Sequence, residues 1–97
     1  MVDTCENLTA RLLFGLPTVL DANGFQVRVL LPPREHGPPH VHVHKGGGDV
    51  VIMLPDGAQP LGIRTISHMR TADVVAAFRL VEAHTEPLLA AWRQYHG

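Results

Sequence analysis

Four of the seven histidines lie within nine positions, in the segment Glu35-His36-Gly37-Pro38-Pro39-His40-Val41-His42-Val43-His44-Lys45. Histidine is the side chain whose unperturbed pKa lies closest to neutrality, and it is also the commonest metal ligand. Such a cluster suits two chemistries: proton transfer on a substrate near neutral pH, or coordination of a metal ion. For the first, His36, His40 and His42 are the candidate catalytic imidazoles. Arg34 and Lys45 are the cations that would stabilise an anionic phosphate transition state. RNA is the substrate class that such a metal-independent set suits.

For the second chemistry, the spacing limits what one strand can supply. From His40 onward histidine alternates with valine, the period of a β-strand, in which every second side chain shares a face. The Cα atoms of His40 and His44 would lie ~13 Å apart at ~3.3 Å per residue. An imidazole reaches roughly 6 Å from its Cα to a bound ion. One strand is therefore not expected to hold an ion with three histidines, whereas an i, i+2 pair with a third ligand from elsewhere is feasible. The candidate ligand set is His36, His40, His42 and His68, with Glu35 and Asp49 in reachable positions. Zinc or nickel would suit such imidazole-rich coordination, and copper would also. A plainer reading stays open: the valines face the core, and the imidazoles only cover the outer face.

Bulk properties set the frame for these side chains. A chain of 97 residues makes one small domain, and 45 % hydrophobic with 18 % charged residues is a globular composition. No apolar run approaches the ~20 residues that span a bilayer. Residues 1–7 are acidic where a secretory signal is basic, so export is not expected and a cytoplasmic location is. Cys5 is the only cysteine, which rules out an intrachain disulfide and cysteine-rich zinc modules. The formal net charge of −1 argues against a broad nucleic-acid surface. It leaves room for a local one, since residues 28–45 carry Arg28, Arg34 and Lys45 against Glu35.

The elements that must position the histidines can be read from pattern. Residues 1–16 form an N-terminal arm or short helix, cut off by Gly15 and Pro17. Residues 17–97 form a single α+β domain. Thr18-Val19-Leu20 and Phe25 to Leu31 flank the turn signal Asp21-Ala22-Asn23-Gly24 and predict a hairpin, with Phe25, Val27 and Val29 on one face. Pro32-Pro33 ends it, and a loop over 34–39 leads into a strand over 40–45. Gly46-Gly47-Gly48 is a turn rather than a phosphate loop, and Asp49 to Leu54 is the next strand. A three-residue turn would set His44, His42 and His40 opposite Val50, Ile52 and Leu54; a two-residue turn sets them beside Val51 and Met53. In both registers apolar neighbours should desolvate the imidazoles and lower their pKa values.

A weaker strand follows over Gln59 to Ile63. Thr71 caps a helix over about 72–84, in which Val74, Val75, Phe78 and Val81 recur at helical spacing. Thr85-Glu86-Pro87 restarts it, and Leu88, Leu89, Trp92 and Tyr95 carry the apolar stripe onward. His68, His84 and His96 are expected at the surface, with His84 at a helix end where a cation complements the dipole. The fold expected is α+β: a small antiparallel sheet of four to five strands with two C-terminal helices packed on one face. Either strand 40–45 or strand 49–54 could be an exposed edge that pairs with another chain, and a homodimer is among the assemblies left open.

The residues Pro17-Thr18-Val19-Leu20, Gly24-Phe25, His36-Gly37-Pro38-Pro39-His40-Val41-His42-Val43 and Leu88-Leu89-Ala90-Ala91-Trp92 together resemble a prokaryotic family, domain of unknown function 4160. The resemblance covers Pro17 to Gly97 and carries the motif onto His36, Pro38, Pro39, His40 and His42. It implies a compact α+β domain of bacterial origin. It also implies a small antitoxin-like partner encoded beside it, of the family called domain of unknown function 2442, with this chain as the toxin of a type II toxin–antitoxin-like module. A histidine-dependent ribonuclease is the first functional expectation. A non-enzymatic metal-binding or protein-interaction module using the same strand is the second. The family brings no established reaction.

Overall fold

The computed structural model describes residues 11–12, 18–29 and 38–96, and of Arg11, Leu12, Thr18, Val19 and Tyr95 the backbone alone. Expectations for the rest of the 1–16 arm, for the strand end at Pro32-Pro33, and for Arg34, Glu35, His36 and Gly37 lie outside the described residues. Among the described residues six strands follow one another as a meander: β1 (Arg11–Leu12), β2 (Thr18–Ala22), β3 (Phe25–Arg28), β4 (His40–Lys45), β5 (Gly48–Met53) and β6 (Gly62–Ser67). Each pairs antiparallel with the next, so the sheet order is the chain order. Two C-terminal helices, α1 (Thr71–Ala83) and α2 (Thr85–His96), make this an α+β fold. The expected four or five strands are β2 to β6; the two-residue β1 adds an outer sixth.

Turn chemistry fixes both tight hairpins. Asn23 and Gly24 both take positive φ, 55° and 84°, the conformation of the two-residue turn that matches strand twist. Gly46-Gly47 makes the β4–β5 turn, leaving Gly48 inside β5 opposite Lys45. The two-residue register therefore applies: His40 faces Met53, His42 faces Val51 and His44 faces Asp49. Gly48 lacks a side chain for a packing reason: a Cβ there would overlap the backbone carbonyl of His68.

The strand expected over 59–63 lies further along. Asp56 and Gln59 first close a turn with reciprocal backbone hydrogen bonds of 3.0 and 2.9 Å. β6 then runs to Ser67 with a register shift: Val51 faces Thr65 while Ile52 faces Ile63, which leaves Arg64 as the extra residue of a bulge. Ile63 and Ile66, three apart, thereby face the same way as their partners Ile52 and Val50. That break in alternation hides the strand from a period-two reading. The strand order makes β6, not 40–45 or 49–54, a sheet edge: β4 lies between β3 and β5, and β5 between β4 and β6. Among the described residues, Ile63 and Ile66 of this strand and Val75 of the following helix are the large apolar side chains left exposed.

One face of the sheet carries the core. Leu20, Phe25, Val27, Val29, Val41, Val43, Val50, Ile52 and Leu54 pack against Val74, Ala77 and Val81 of α1 and Leu88, Leu89, Ala91 and Trp92 of α2. Full burial of each such Val or Leu contributes about 1.5–3 kcal/mol. The helix starts differ from expectation. Arg70 is the N-cap of α1 and makes no side-chain cap bond, and Thr71 is already helical. Asp73 in the first turn supplies the negative charge that complements the helix N-terminus. Thr85 does not cap α2 either: its hydroxyl donates back to the carbonyls of Val81 at 3.2 Å and Glu82 at 3.1 Å. His84 Nδ1 likewise donates to Leu80 O at 2.9 Å, so the end of α1 is closed by side chains from the junction. Among the described residues, no helix is long and apolar enough to cross a membrane.

Candidate functional site

β4 has two unlike faces because its alternation is strict. Val41 and Val43 are fully buried beneath the helices, while His42 and His44 are half-buried on the other side. The chain reaches β4 through Pro38-Pro39, and that approach is clamped. Pro39 O accepts Leu54 N–H at 3.0 Å and Gln59 Nε2 at 3.2 Å, and Gln59 Nε2 also donates to Leu54 O at 2.6 Å. Arg93 of α2 pairs with Asp56 in the same turn at 3.6 Å. The start of β4 is thus tied to the end of β5 and to α2.

His40, at this end, is buried, with 2 % of its surface exposed. Its Nδ1 lies 2.9 Å from Pro38 O. A carbonyl can only accept, so Nδ1 carries the proton and, in the neutral ring, Nε2 carries the lone pair. The His40 ring meets His42 edge-on, with centroids 5.3 Å apart, and lies 5.0 Å from Trp92. Trp92 in turn stacks on His96 at 3.7 Å and an interplanar angle of 13°. Four rings, His42, His40, Trp92 and His96, form a continuous row from the outer sheet face to the end of α2.

The β3–β4 register brings a cation to the same face. Arg28 lies opposite His42 and Gln26 opposite His44. The Arg28 guanidinium donates from Nη2 to Gln26 Oε1 at 3.2 Å. Its Nε is buried with no hydrogen-bond partner. Burial holds the His44 pKa below its ordinary value of 6.5, the Arg28 charge adds to this, Asp49 opposes it, and His42 contributes weakly in the same sense as Arg28. The expected lowering thus occurs at His44. Its cross-strand neighbour on β5 is Asp49 rather than an apolar residue.

The DUF4160 family, a domain of unknown function, has a profile that matches residues 24–93. The chain belongs to this family. No curated protein and no solved structure matches it.

The DUF4160 motif as read from sequence is only partly assembled among the described residues. His40 and His42 are brought together; His36 and Arg34 lie outside the described residues. Lys45 goes elsewhere. It shares the parity of Val41 and Val43, pairs with Asp73 of α1 at 3.2 Å, and sits 4.8 Å from the centre of the Phe25 ring. His68 follows Ser67, which pairs with Asp49, whereas His40 pairs with Met53. Five residues of β5 separate those ends, about 16 Å at 3.3 Å per residue. His68 is exposed, takes φ of 52°, and bonds Ser67 Oγ at 3.1 Å. It therefore does not join His40 and His42, and among the described residues no group of three or more His, Cys, Asp or Glu side chains could hold a metal ion. Arg28 opposite His42 would further repel a cation there.

Two contributors carry no mark in the sequence reading, Gln59 and the Trp92–His96 pair, while Arg28 figures there only as one charge of a local basic stretch. The i, i+4 spacing of Trp92 and His96 was a usable signal, because such residues stack on one helix face. His96 is accordingly half-buried against Trp92 rather than simply superficial. Gln59 had no signal of its own.

Proposed function

We propose that this DUF4160 protein carries out histidine-dependent chemistry on a phosphodiester, with RNA as the substrate and a toxin of a two-gene toxin–antitoxin-like module as its biological role. The observation that carries this reading is the His40–His42 pair. One imidazole is buried with its tautomer held by Pro38 O, and the next is half-buried on the face away from the helices. His42 is the member a substrate can meet. It would take the proton of a ribose 2′-hydroxyl as that oxygen attacks the adjacent phosphorus. The bond from phosphorus to the 5′-oxygen breaks, and the leaving oxygen takes a proton from a second acid, for which His36 of the same motif is the candidate. His40, too enclosed to touch RNA, positions His42.

Cleavage of a short RNA in the presence of a chelator tests the reading. His42→Ala should lower the rate at least about a hundredfold, the usual weight of a general acid or base. Expression should arrest growth, and co-expression of a small partner protein encoded beside it should restore growth, as expected of a cytoplasmic module. Uncut RNA together with unaffected growth would remove the proposal. The competing reading, a zinc- or nickel-binding module, needs a third ligand beside His40 and His42. Stoichiometric metal by elemental analysis, lost in a His40→Ala, His42→Ala double variant, would favour it.

A further inference from the structure

We propose that Arg28, His42 and His44 form a binding site for a phosphate group on the sheet face turned away from the helices. This deepens the reading of RNA as substrate and rests on it for its biological meaning, while the binding itself rests on the geometry of β3 and β4. The register sets Arg28 directly opposite His42, and His44 lies one pleat further along the same strand. Cα atoms two apart on a strand are about 6.6 Å apart, and neighbouring strands about 4.8 Å, so the three side chains rise from one small triangle of sheet.

Charge makes this triangle unusual within the molecule. Lys45 and Arg70 share Asp73, and Arg93 has Asp56. Arg28 has only the neutral Gln26 amide, has no ion pair with a described carboxylate, and keeps one buried N–H without a partner. Unlike the exposed Arg64 and Arg79, it is half-buried, where an uncompensated charge is more costly. Around it on this face stand His42 and His44 from β4, Val51 from β5 opposite His42, Asp49 from β5 opposite His44, and, on the other flank, Asp21 from β2 opposite Gln26, which lines a shallow hollow with Gln26 and His44. Asp49 is two strands away from Arg28, roughly 10 Å across the sheet, and lies against His44 instead. Among the described residues the protein thus gathers a fixed cation and two imidazole donors with no carboxylate ion-paired to the cation; Asp21 of β2, opposite Gln26, is the nearer carboxylate by register, roughly 8 Å away on the diagonal.

The ligand chemistry follows. A metal cation is repelled by Arg28. A phosphate offers oxygens in several directions, so the guanidinium fork can take two while each imidazole N–H takes another. The same chemistry is offered by a free phosphate ion and by the backbone of RNA.

Calorimetric titration at low salt with inorganic phosphate and, in parallel, with a dinucleoside monophosphate reads the site directly. Saturable one-to-one binding of either is expected, the tighter one naming the source. Arg28→Gln should weaken it at least about tenfold, and Arg28→Lys, which keeps the charge and loses the fork, by less. Because Arg28 is half-buried, His44→Gln serves as a second variant and should weaken binding about threefold or more; unchanged amide spectra outside β3 and β4 verify the fold of each. No saturation by about 10 mM of either ligand, or equal affinity in the parent, Arg28→Gln and His44→Gln proteins, overturns the site. The two proposals fail separately. Phosphate held through Arg28 by a protein that leaves RNA intact retains the site and removes the ribonuclease. Cleaved RNA from a protein whose phosphate affinity ignores both substitutions does the reverse.

Discussion

The two faces of β4 share one backbone, one ladder of hydrogen bonds and six consecutive residues, yet they are under different physical demands. On the helix side Val41 and Val43 are fully buried in hydrocarbon, contributed by both helices and by Val50 and Ile52 of the neighbouring strand. On the other side His42 and His44 stand half-buried among Arg28, Gln26, Val51 and Asp49. A single position along the strand moves a side chain from a place where only close packing matters to one where charge and protonation matter. Strict alternation lets a chain of this size put stability and chemistry on the same element without mixing them.

The same substitution at adjacent positions tests that separation, and it carries the largest effect expected here. Val43→Asp buries a carboxylate with no partner and should cost more than about 5 kcal/mol, comparable to the whole stability of a small domain. His42→Asp sets its carboxylate across from Arg28 and should cost about 1 kcal/mol, the span of strand propensities, while abolishing RNA cleavage. Urea unfolding midpoints of the two variants decide it. Equal loss of stability in both would mean that the outer face is as much a core as the inner one.

That division is legible in the amino-acid sequence. Val41 and Val43 alternating with three histidines state the two faces outright, the bounds 40–45 are those of β4, and Asn23-Gly24 names its own turn. What pattern could not supply is whatever depends on how separate elements meet. Arg28 and His42 become neighbours only through the β3–β4 register, and the connection between those strands is too long to fix it. Trp92 reads as a core residue, and it is one; that it also reaches His40 depends on where α2 lies at the end of the sheet. β6 was displaced because the bulge at Arg64 puts Ile63 and Ile66 on one face at a spacing that belongs to neither strand nor helix periodicity. Likeness of residue type alone groups the histidines into one site. The sheet instead sends His40 and His68 to opposite ends of their strands.

Trp92 is where the two regions touch, so it is the position at which the comparison should break. Its ring belongs to the core cluster and also lies 5.0 Å from His40. Trp92→Ala should cost about 3–5 kcal/mol for the cavity it opens. Unlike Val43→Ala, it should also slow RNA cleavage under conditions where the variant remains folded, because His40 loses the surface that orients it. Rates measured well below each variant's melting temperature separate the two contributions. Full activity in folded Trp92→Ala protein would show that the row of rings is packing alone.

His44 gives a smaller effect with a definite sign. Its folded pKa lies below the unfolded 6.5, first because of burial and then because of Arg28. The folded state therefore binds fewer protons than the unfolded state between the two values. Above pH 6.5 the group has no influence; as the pH falls below 6.5 and through the lowered value, stability is lost. His44→Gln should flatten that part of the acid limb in a series of urea titrations, and Arg28→Gln should flatten it partly. An unaltered acid limb in both variants would mean that the outer face is fully solvated at this end of β4.

The smallest effect concerns the far end of the sheet. His68 holds φ at 52°, a conformation that costs a side-chain-bearing residue roughly 1–2 kcal/mol and glycine almost nothing. Glycine also gives the unfolded chain more freedom, which offsets roughly 0.5–1 kcal/mol of that relief. His68→Gly should therefore raise stability by less than about 1 kcal/mol, visible as a slightly higher melting temperature. The contact with Gly48 is made by the backbone of His68 and so is kept. Because His68 lies some five residues of β5 away from His40, RNA cleavage should be unchanged. A loss of activity in this variant would place His68 in the site after all, and with it would return the four-histidine set as a candidate for binding a metal.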